Sequence, residues 1–450
     1  MESPDKHYSR GYTVAEIRPF AGLRYNQILI KDLSTVICPP YDVISPSLHE
    51  DLYKRNDFNF IRLEDAKQFP DDTAANNKYT RTAATLAQWL NQKILVPEKS
   101  PAIYLHNHYF RLLGKDYTRR GIISRVRLEE WDKMIIRPHE GILSAPKEDR
   151  QNLLWALKVN TSPVLMMYQD KDRKITRALE KAASKKPVIN TTIPEGEKHK
   201  IWAITDSAAI NLIAGVMTDQ PFYIADGHHR YTSALTYRRE KVAATPGISP
   251  DDPINFVMST LVDFTDTGLI ILAPHRLIRG LSKTVLAELV TKLGAFFEIT
   301  EMPANRRDAW QKLDAEMAKP DGIRLGFYGS SINKFYALKL RDTAAIAEMM
   351  PSFHSEIYRK LDVRVLDHII LENILGLGID GRGEARVSFS SDREEAMKQV
   401  VHGEYQLVFF LKPVKPELIK NVSDANEKMP RKSTYFYPKA PAGLVVNPLF

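Results

Sequence analysis

Short apolar runs of strand length alternate with amphipathic runs of helical period along nearly the whole of this 450-residue chain. That alternation most constrains what the chain can fold into. Strands must pair, and helices lying between strands must cover the faces of the resulting sheet, so the class is α/β or α+β with a mixed sheet. "IYLHNHYFRLLG" and "DYTRRGIISRVRLEEW" read as a hairpin around Gly114-Lys115, and "IRLGFYG" with "KFYALKL" as a second one. "INFVMSTLVDF" and "LIILAPHRLI" read as strands separated by a "TDTG" turn, and "YQLVFFLKP" as another strand. In "KYTRTAATLAQWLNQKIL", Leu86, Trp89, Leu90 and Ile94 fall on one helical face. "SAPKEDRQNLLWALKVN" opens with Pro146 and acidic residues, as a helix N-terminus does. "SKTVLAELVTKLGAFFEI", "DAWQKLDAEMAK", "LDVRVLDHIILENILG" and "KPELIKNVSDANEKM" complete the expected helices. "VPEKSPA", Val96 to Ala102, carries two prolines and reads as a linker or turn. The expected organisation is an N-terminal α/β segment over 1–100, a central core over 101–280 and a C-terminal α/β domain over 281–450.

Composition narrows the function classes. The single cysteine, Cys38 in "VICPPYDVI", excludes disulfide scaffolds and cysteine-based metal sites within one chain. It reads as a buried structural thiol rather than a nucleophile. The first ten residues have no signal-peptide pattern, and runs such as "INLIAGVM" are too short to span a bilayer. A cytosolic protein without membrane association is therefore expected. The net charge of +8 is mild for this length and suits an anionic small substrate. No arginine-rich tail or lysine block supports a dedicated role on nucleic acid.

The strongest local signal is "YIADGHHRYTSAL", Tyr223 to Leu235. A strand-like run, Pro221 to Ala225, leads through Asp226-Gly227 into His228, His229, Arg230 and a helix. Gly227 can take backbone angles closed to other residues and lets a bound group approach the main chain. The first helical turn presents unpaired N–H groups and a favourable dipole to an anion. Arg230 adds a planar fork of donors suited to phosphate, and either histidine can add another. The segment reads as an anion site, or else as a surface turn with a solvated helix start. Adjacent helical histidines point about 100° apart, and no HExxH or paired-cysteine spacing accompanies them, which argues against zinc here. His106 and His108 share a strand face and could form a metal pair, but the sequence identifies no third ligand nearby.

Three further clusters stand out. "IRPHEGILSAPKEDR" gathers Arg137, His139, Glu140, Lys147, Asp149 and Arg150, where Glu140 beside histidine and arginine could act as a general base or merely cap a helix. "MPRKSTYFYPK" offers Lys432, Ser433, Thr434 and Lys439 for the charged groups of a small polar substrate, or a strand with a polar edge. "PHRL" places His275 and Arg276 at a strand end, as a second phosphate-contacting pair or a structural one. "GLGIDG", Gly376 to Gly381, fits GxGxxG literally but follows a helix, not a strand, so Rossmann use is rejected and Gly376 and Gly378 read as helix-ending glycines. No GxxxxGK[ST] loop is present.

"IRPFAGLRY", "CPPYDVI", "RPHEGILSAPKEDR", "ADGHHRYTSAL", "GLIILAPHRL" and "MPRKSTYFYPK", in this order, resemble a large bacterial family of unknown function that is similar to the free serine kinases of the ParB/sulfiredoxin-like superfamily. The resemblance implies a ParB/sulfiredoxin-like core and a kinase making O-phospho-L-serine from free L-serine. It implies that Glu140 activates the substrate hydroxyl, with His139 beside it. It places donor phosphates on Asp226 through Arg230 and serine on His139, Lys432, Ser433 and Thr434. His228, His229 and Arg230 would stabilise the transferring phosphoryl group with Mg²⁺, for which Asp226 is the candidate ligand. The donor is left open among ATP, ADP and pyrophosphate, as are the oligomeric state and the pathway. The chain departs from the kinase pattern at Tyr435-Phe436, where those enzymes carry Arg-His, which leaves acceptor selectivity open. The alternative is a ParB-like nucleotide-binding switch or DNA-associated module without kinase activity.

Overall fold

The computed structural model describes residues 15–141, 144–304, 308–329, 334–342, 346, 349, 355–359, 361–378 and 386–450. The chain forms two compact units. Unit 1 comprises the residues up to Pro138, Ile142–Leu269 and Pro438–Phe450; unit 2 comprises His139–Gly141 and Ile270–Tyr437.

Unit 1 is built on a nine-stranded mixed sheet. Its strands are β1 (Ile17–Arg18), β2 (Ile103–Leu112), β3 (Lys115–Arg127), β4 (Ile136–Arg137), β5 (Val164–Tyr168), β6 (Ile189–Thr192), β7 (Lys198–Ile204), β8 (Phe222–Asp226) and β9 (Phe256–Asp263). They lie in the order β4-β8-β5-β9-β3-β2-β7-β6, with β1 also paired to β3. β8 runs parallel to β4 and β5 parallel to β9, while the other pairs are antiparallel. Alternate residues feed two cores, as period-two geometry requires. Ile122 and Val257 join one apolar cluster with Met166, Ile224 and Leu235. Ile123 and Met258 join another with Phe60, Trp89 and Leu153. The sheet is thus covered on both faces, which is why β5, "VLMMY", is buried along its whole length.

The helices relevant here are α1 (Lys78–Asn91), α2 (Ser144–Leu157) and α3 (His228–Ala244). α1 starts at a capping box between Asn77 and Thr80, and α2 packs on α3. The expected hairpin forms, but Leu112 faces Lys115, so Leu113 and Gly114 make the turn with φ of 48° and 78°. Two left-handed residues are what a two-residue turn between twisted strands needs. "VPEKSPA" is no linker: Leu95–Pro97 pairs with Leu23–Tyr25, and Ala102 bridges Phe20. The first hundred residues are therefore built into unit 1. So is the chain's end, where Asn447–Pro448 pairs with Val159–Asn160 and Ala442 bridges Cys38.

Unit 2 carries a six-stranded antiparallel sheet of β10 (His275–Ile278), β11 (Phe297–Pro303), β12 (Arg324–Gly329), β13 (Lys334–Leu340), β14 (Val387–Ser390) and β15 (Leu407–Phe410), in the order β11-β13-β12-β15-β10-β14. "LIILAPHRLI" is two strands rather than one. Ile270–Leu272 pairs with Tyr435–Tyr437, and after Pro274 the chain enters the larger sheet as β10. "VLDHIILENI", Val365–Ile374, is a π-helix where an α-helix is expected. Gly376, with φ of 65°, follows its end, while residues 379–381 of "GLGIDG" lie outside the described residues. The fold is mixed α/β with a large mixed sheet, and no described helix is long and apolar enough to cross a membrane.

Candidate functional site

The strand–turn–helix at Asp226 forms as its sequence demands. β8 is apolar and buried up to Ala225, and Gly227 takes a φ of 92° as the residue before α3. A Cβ on Gly227 would lie 3.0–3.1 Å from the Arg230 guanidinium, so the glycine also makes room for that side chain. Arg230 Nη2 lies 2.6 Å from Asp226 Oδ2, and its Nη1 donates to the Pro163 carbonyl. Lys439 donates to the other carboxylate oxygen of Asp226 and lies 3.5 Å from Asp42. Two cations therefore converge on one carboxylate at a helix N-terminus. Burial alone would push the Asp226 carboxyl up, but Lys439 and then Arg230 outweigh it and hold it well below the usual carboxylate range. Lys439 is raised in turn: Asp226 and Asp42 outweigh the effect of its burial. His228 opens α3 and is buried, and His229 is half-buried beside it.

A second charged layer lies behind this turn. Arg150 sits 4.0 Å from the centre of the Tyr41 ring, donates to the Glu64 carbonyl at 2.8 Å and pairs with Asp149. Asp149 also accepts from Lys78 and from the Tyr79 hydroxyl. Against the upward push of burial, Arg150 and Lys78 hold the Asp149 carboxyl down at about 2. Glu64 is buried; its Oε1 accepts from the Ser162 hydroxyl at 2.8 Å, while its Oε2 has no hydrogen-bond partner among the described residues. Glu64, Arg150, Ser162 and Arg230 line a cavity of about 40 Å³. That volume has room for ordered water, which would complete the Glu64 carboxylate.

In unit 2, Glu140 forms an isolated parallel bridge with Met429, and its Oε1 accepts from the Lys432 backbone N–H at 2.9 Å. His139 is fully buried, shares a 3.0 Å hydrogen bond with the Thr434 hydroxyl and meets the Phe436 ring edge-on. The Ser433 hydroxyl donates to the Pro430 carbonyl at 2.5 Å. Lys432 is exposed and holds a left-handed φ of 56°.

The predicted clusters are thus regrouped. "IRPHEGILSAPKEDR" divides: Arg137, Lys147, Asp149 and Arg150 belong to unit 1, and His139 and Glu140 to unit 2 together with Lys432, Ser433 and Thr434. Lys439, expected with Lys432, instead faces Asp226. Tyr41 and Asp42 of "CPPYDVI" also join the turn, though their sequence signal is only a Pro-Pro punctuated loop. His275 and Arg276, offered as a second phosphate-contacting pair, lie in unit 2 with internal partners. Arg276 is fully buried, bonded to the Pro274 and Lys432 carbonyls at 2.6 and 2.9 Å and paired with Asp367 at 3.3 Å. His275 Nδ1 accepts from the Leu411 N–H at 3.2 Å, and burial brings its imidazole down to about 4. For Mg²⁺, Asp226 offers a carboxylate with both oxygens engaged by cations, which does not fit a resident ion held by that residue.

Comparison with known proteins places the chain. Residues 17–364 match the family described as "Protein of unknown function (DUF1015)". The chain belongs to that family. No curated protein matches it. Among solved structures, it is similar to a conserved hypothetical protein from Pyrococcus furiosus at 14% identity and a TM-score of 0.34, covering 71% of this chain and 93% of that one. A free serine kinase in complex with AMP gives 14% identity and a TM-score of 0.35 over 71% and 89%. SbnI with a C-terminal truncation, from Staphylococcus aureus, gives 10% and 0.32 over 71% and 84%. At these identities and scores the likeness carries no weight for the chemistry of this DUF1015 protein.

Proposed function

We propose that this DUF1015 protein is a phosphotransferase whose donor phosphate binds at the Asp226–Arg230 turn and whose acceptor is a small hydroxyl compound, with free L-serine as the first candidate. The observation that carries the reading is the convergence of Arg230 and Lys439 on one carboxylate beside the left-handed Gly227 at the start of α3. An anion that replaced or joined that carboxylate would meet a guanidinium fork, an ammonium and helix-start amides together. The phosphate of ATP, ADP or pyrophosphate supplies such an anion, and Mg²⁺ would enter as the counter-ion of the donor, neutralising its charge. Phosphoryl transfer needs positioning and charge more than covalent help. By the resemblance of its motif, Glu140 is assigned the hydroxyl proton of the acceptor, whose oxygen forms the new P–O bond. The bond from phosphorus to the leaving phosphate breaks, and Arg230 with His228 and His229 takes up the developing charge. His139, Lys432, Ser433 and Thr434 are assigned to the acceptor through the resemblance of their motif to that of the serine kinases.

The test is direct. The purified protein is incubated with L-serine, Mg²⁺ and, separately, ATP, ADP and pyrophosphate, and O-phosphoserine is sought by mass spectrometry. Formation of O-phosphoserine with any one donor is the expected result. Absence of a phosphorylated product with every donor, for serine, threonine and homoserine alike, overturns the reading.

A further inference from the structure

One buried cluster in unit 1 takes no part in the chemistry above. His106 and His108 on β2 face β7, where the register sets His108 opposite His199. His106 Nε2 and His199 Nδ1 lie 3.1 Å apart, and His108 Nε2 lies 2.6 Å from Glu197. His108, His199 and Glu197 bring three ligand atoms within 4.8 Å of one another, and His199 Nε2 is buried with no hydrogen-bond partner among the described residues. That spacing alone would suit a divalent cation.

Arg119, on β3, decides otherwise. Its Nη2 donates to His108 Nδ1 at 3.1 Å. A guanidinium has no lone pair, so His108 Nδ1 must accept, and the proton of the neutral ring is assigned to Nε2, pointing at Glu197. A metal on Nε2 would require the ring to lose that proton while a buried cation sat against its other nitrogen. The normal arrangement, in which the second ring N–H of a metal-bound histidine faces an acceptor, is reversed here. What the cluster does hold is Arg119 itself. The same Nη2 donates to the Pro438 carbonyl at 2.8 Å, and the next residue is Lys439.

We infer that Arg119 is a positioning residue for Lys439: anchored by His108 and Glu197, it fixes the backbone at Pro438 from which Lys439 reaches Asp226. For phosphate binding the inference rests on the proposed role of the Asp226 turn; for the geometry of Lys439 it does not. Arg119 is 3% exposed, so its second partner cannot be supplied by bulk water. Removing the side chain would leave the Pro438 carbonyl without its donor and free the following residue to turn away from Asp226.

Two readouts separate the parts. Trace acetylation of the full-length protein, followed by mass spectrometry, measures the labelling rate of Lys439 relative to the exposed Lys171. In Arg119→Met the ratio should rise severalfold, as Lys439 leaves its carboxylate partner and becomes open to the reagent. Arg119→Lys keeps the buried charge without the two-donor geometry; it should raise the ratio less, and it is the variant to read if Arg119→Met does not fold. An unchanged ratio in a folded variant overturns the positioning role, whatever ligand the protein binds. Calorimetric titration with ADP and with pyrophosphate tests the link to phosphate. Arg119→Met and Lys439→Met should each weaken binding, and the double variant should be no weaker than Lys439→Met alone. Losses that multiply instead show that Arg119 does not act through Lys439. A wild-type protein that binds neither ligand removes the phosphate reading and leaves the labelling result to stand or fall by itself.

Discussion

The turn at Asp226 and the segment around Glu140 are made of similar residues, each with an acid, a lysine and a histidine, yet they use them differently. At the turn, the carboxylate meets two side-chain cations, Arg230 and Lys439, and all three are largely shielded from solvent. Around Glu140, the carboxylate accepts from the backbone N–H of Lys432, whose own side chain is exposed. The histidine there bonds a hydroxyl, and the serine bonds a carbonyl. Cations gathered on a carboxylate form a site that a stronger anion can take over. A carboxylate tied to a backbone N–H instead shapes a loop and keeps its position when a ligand arrives. Charge pairing and backbone anchoring thus predict different responses to substitution.

The largest expected effect tests whether Glu140 does more than anchor. Glu140→Gln retains an acceptor for the Lys432 N–H but removes the basic oxygen. If Glu140 is the general base, kcat should fall by about 10²- to 10⁴-fold, some 3 to 5 kcal/mol, with donor affinity unchanged. Near-normal turnover would leave Glu140 as a backbone anchor and break the proposed assignment.

Acid should distinguish the two units next. Burial, with His199 and Arg119 adding to it, pulls His106 and His108 well below their usual value; burial and Arg119 bring His199 down to about 3, and in unit 2 burial brings His275 down to about 4. Each of these rings is neutral when folded and takes up a proton when unfolded below about pH 6.5. Their contribution is therefore complete above that pH and is lost as pH falls, by about 1.4 kcal/mol per pH unit per excluded proton. Glu197, pushed up to about 7 by burial, works in the opposite sense and offsets about one of the three protons in unit 1. Hydrogen exchange between pH 6.5 and 5 should show protection in β2 and β7 falling more steeply than in β10 and β15. Equal slopes would show that the histidine cluster accepts protons while folded.

Arg230→Lys sharpens the account of the turn. Asp226 would keep two cationic neighbours but the Pro163 carbonyl would lose its donor, so a stability cost of about 1 kcal/mol is expected; an ammonium cannot replace a bidentate fork on phosphate. A loss of more than about tenfold in kcat/KM, at least 1.4 kcal/mol, is expected for the donor. An unaltered donor parameter would remove Arg230 from phosphate binding.

The smallest effect compares two left-handed glycines. Gly227→Ala and Gly376→Ala should each cost about 1 kcal/mol of stability, because alanine is strained at positive φ. Nothing lies within 4 Å of a Cβ at Gly376, whereas at Gly227 the Cβ meets Arg230. Only Gly227→Ala should also weaken ADP binding, as melting and calorimetric titration together would show. Equal binding in both variants would mean that Gly227 serves the turn and not the fork.

Much of the fold was legible because it is local. The hairpin at 103–127, the helix over 78–91 and the strand leading into α3 each follow from residue period, caps and a glycine within a few positions of one another. Errors arose where neighbours could not inform the choice. The π-helical stretch at 365–374 has an ordinary helical pattern, and "LIILAPHRLI" is uniformly apolar although its halves join different sheets. The site was legible in the same partial way. Asp226, Gly227 and Arg230 stand within five positions and lie at one turn, whereas Arg276, offered as a phosphate contact, is buried against Asp367, 91 residues away.

By itself, then, the sequence determined an α/β protein with a strand–glycine–helix turn bearing Asp226 and Arg230, since short-range sterics, period and dipole need nothing beyond the segment. Only the tertiary structure decided which charges complete that turn. Lys439 reaches Asp226 across 213 residues, and His108 meets Glu197 across 89, through strand register and the return of the C-terminal segment into unit 1. Such pairings depend on where whole strands lie in a sheet, and a shift of one residue would turn each side chain to the other face.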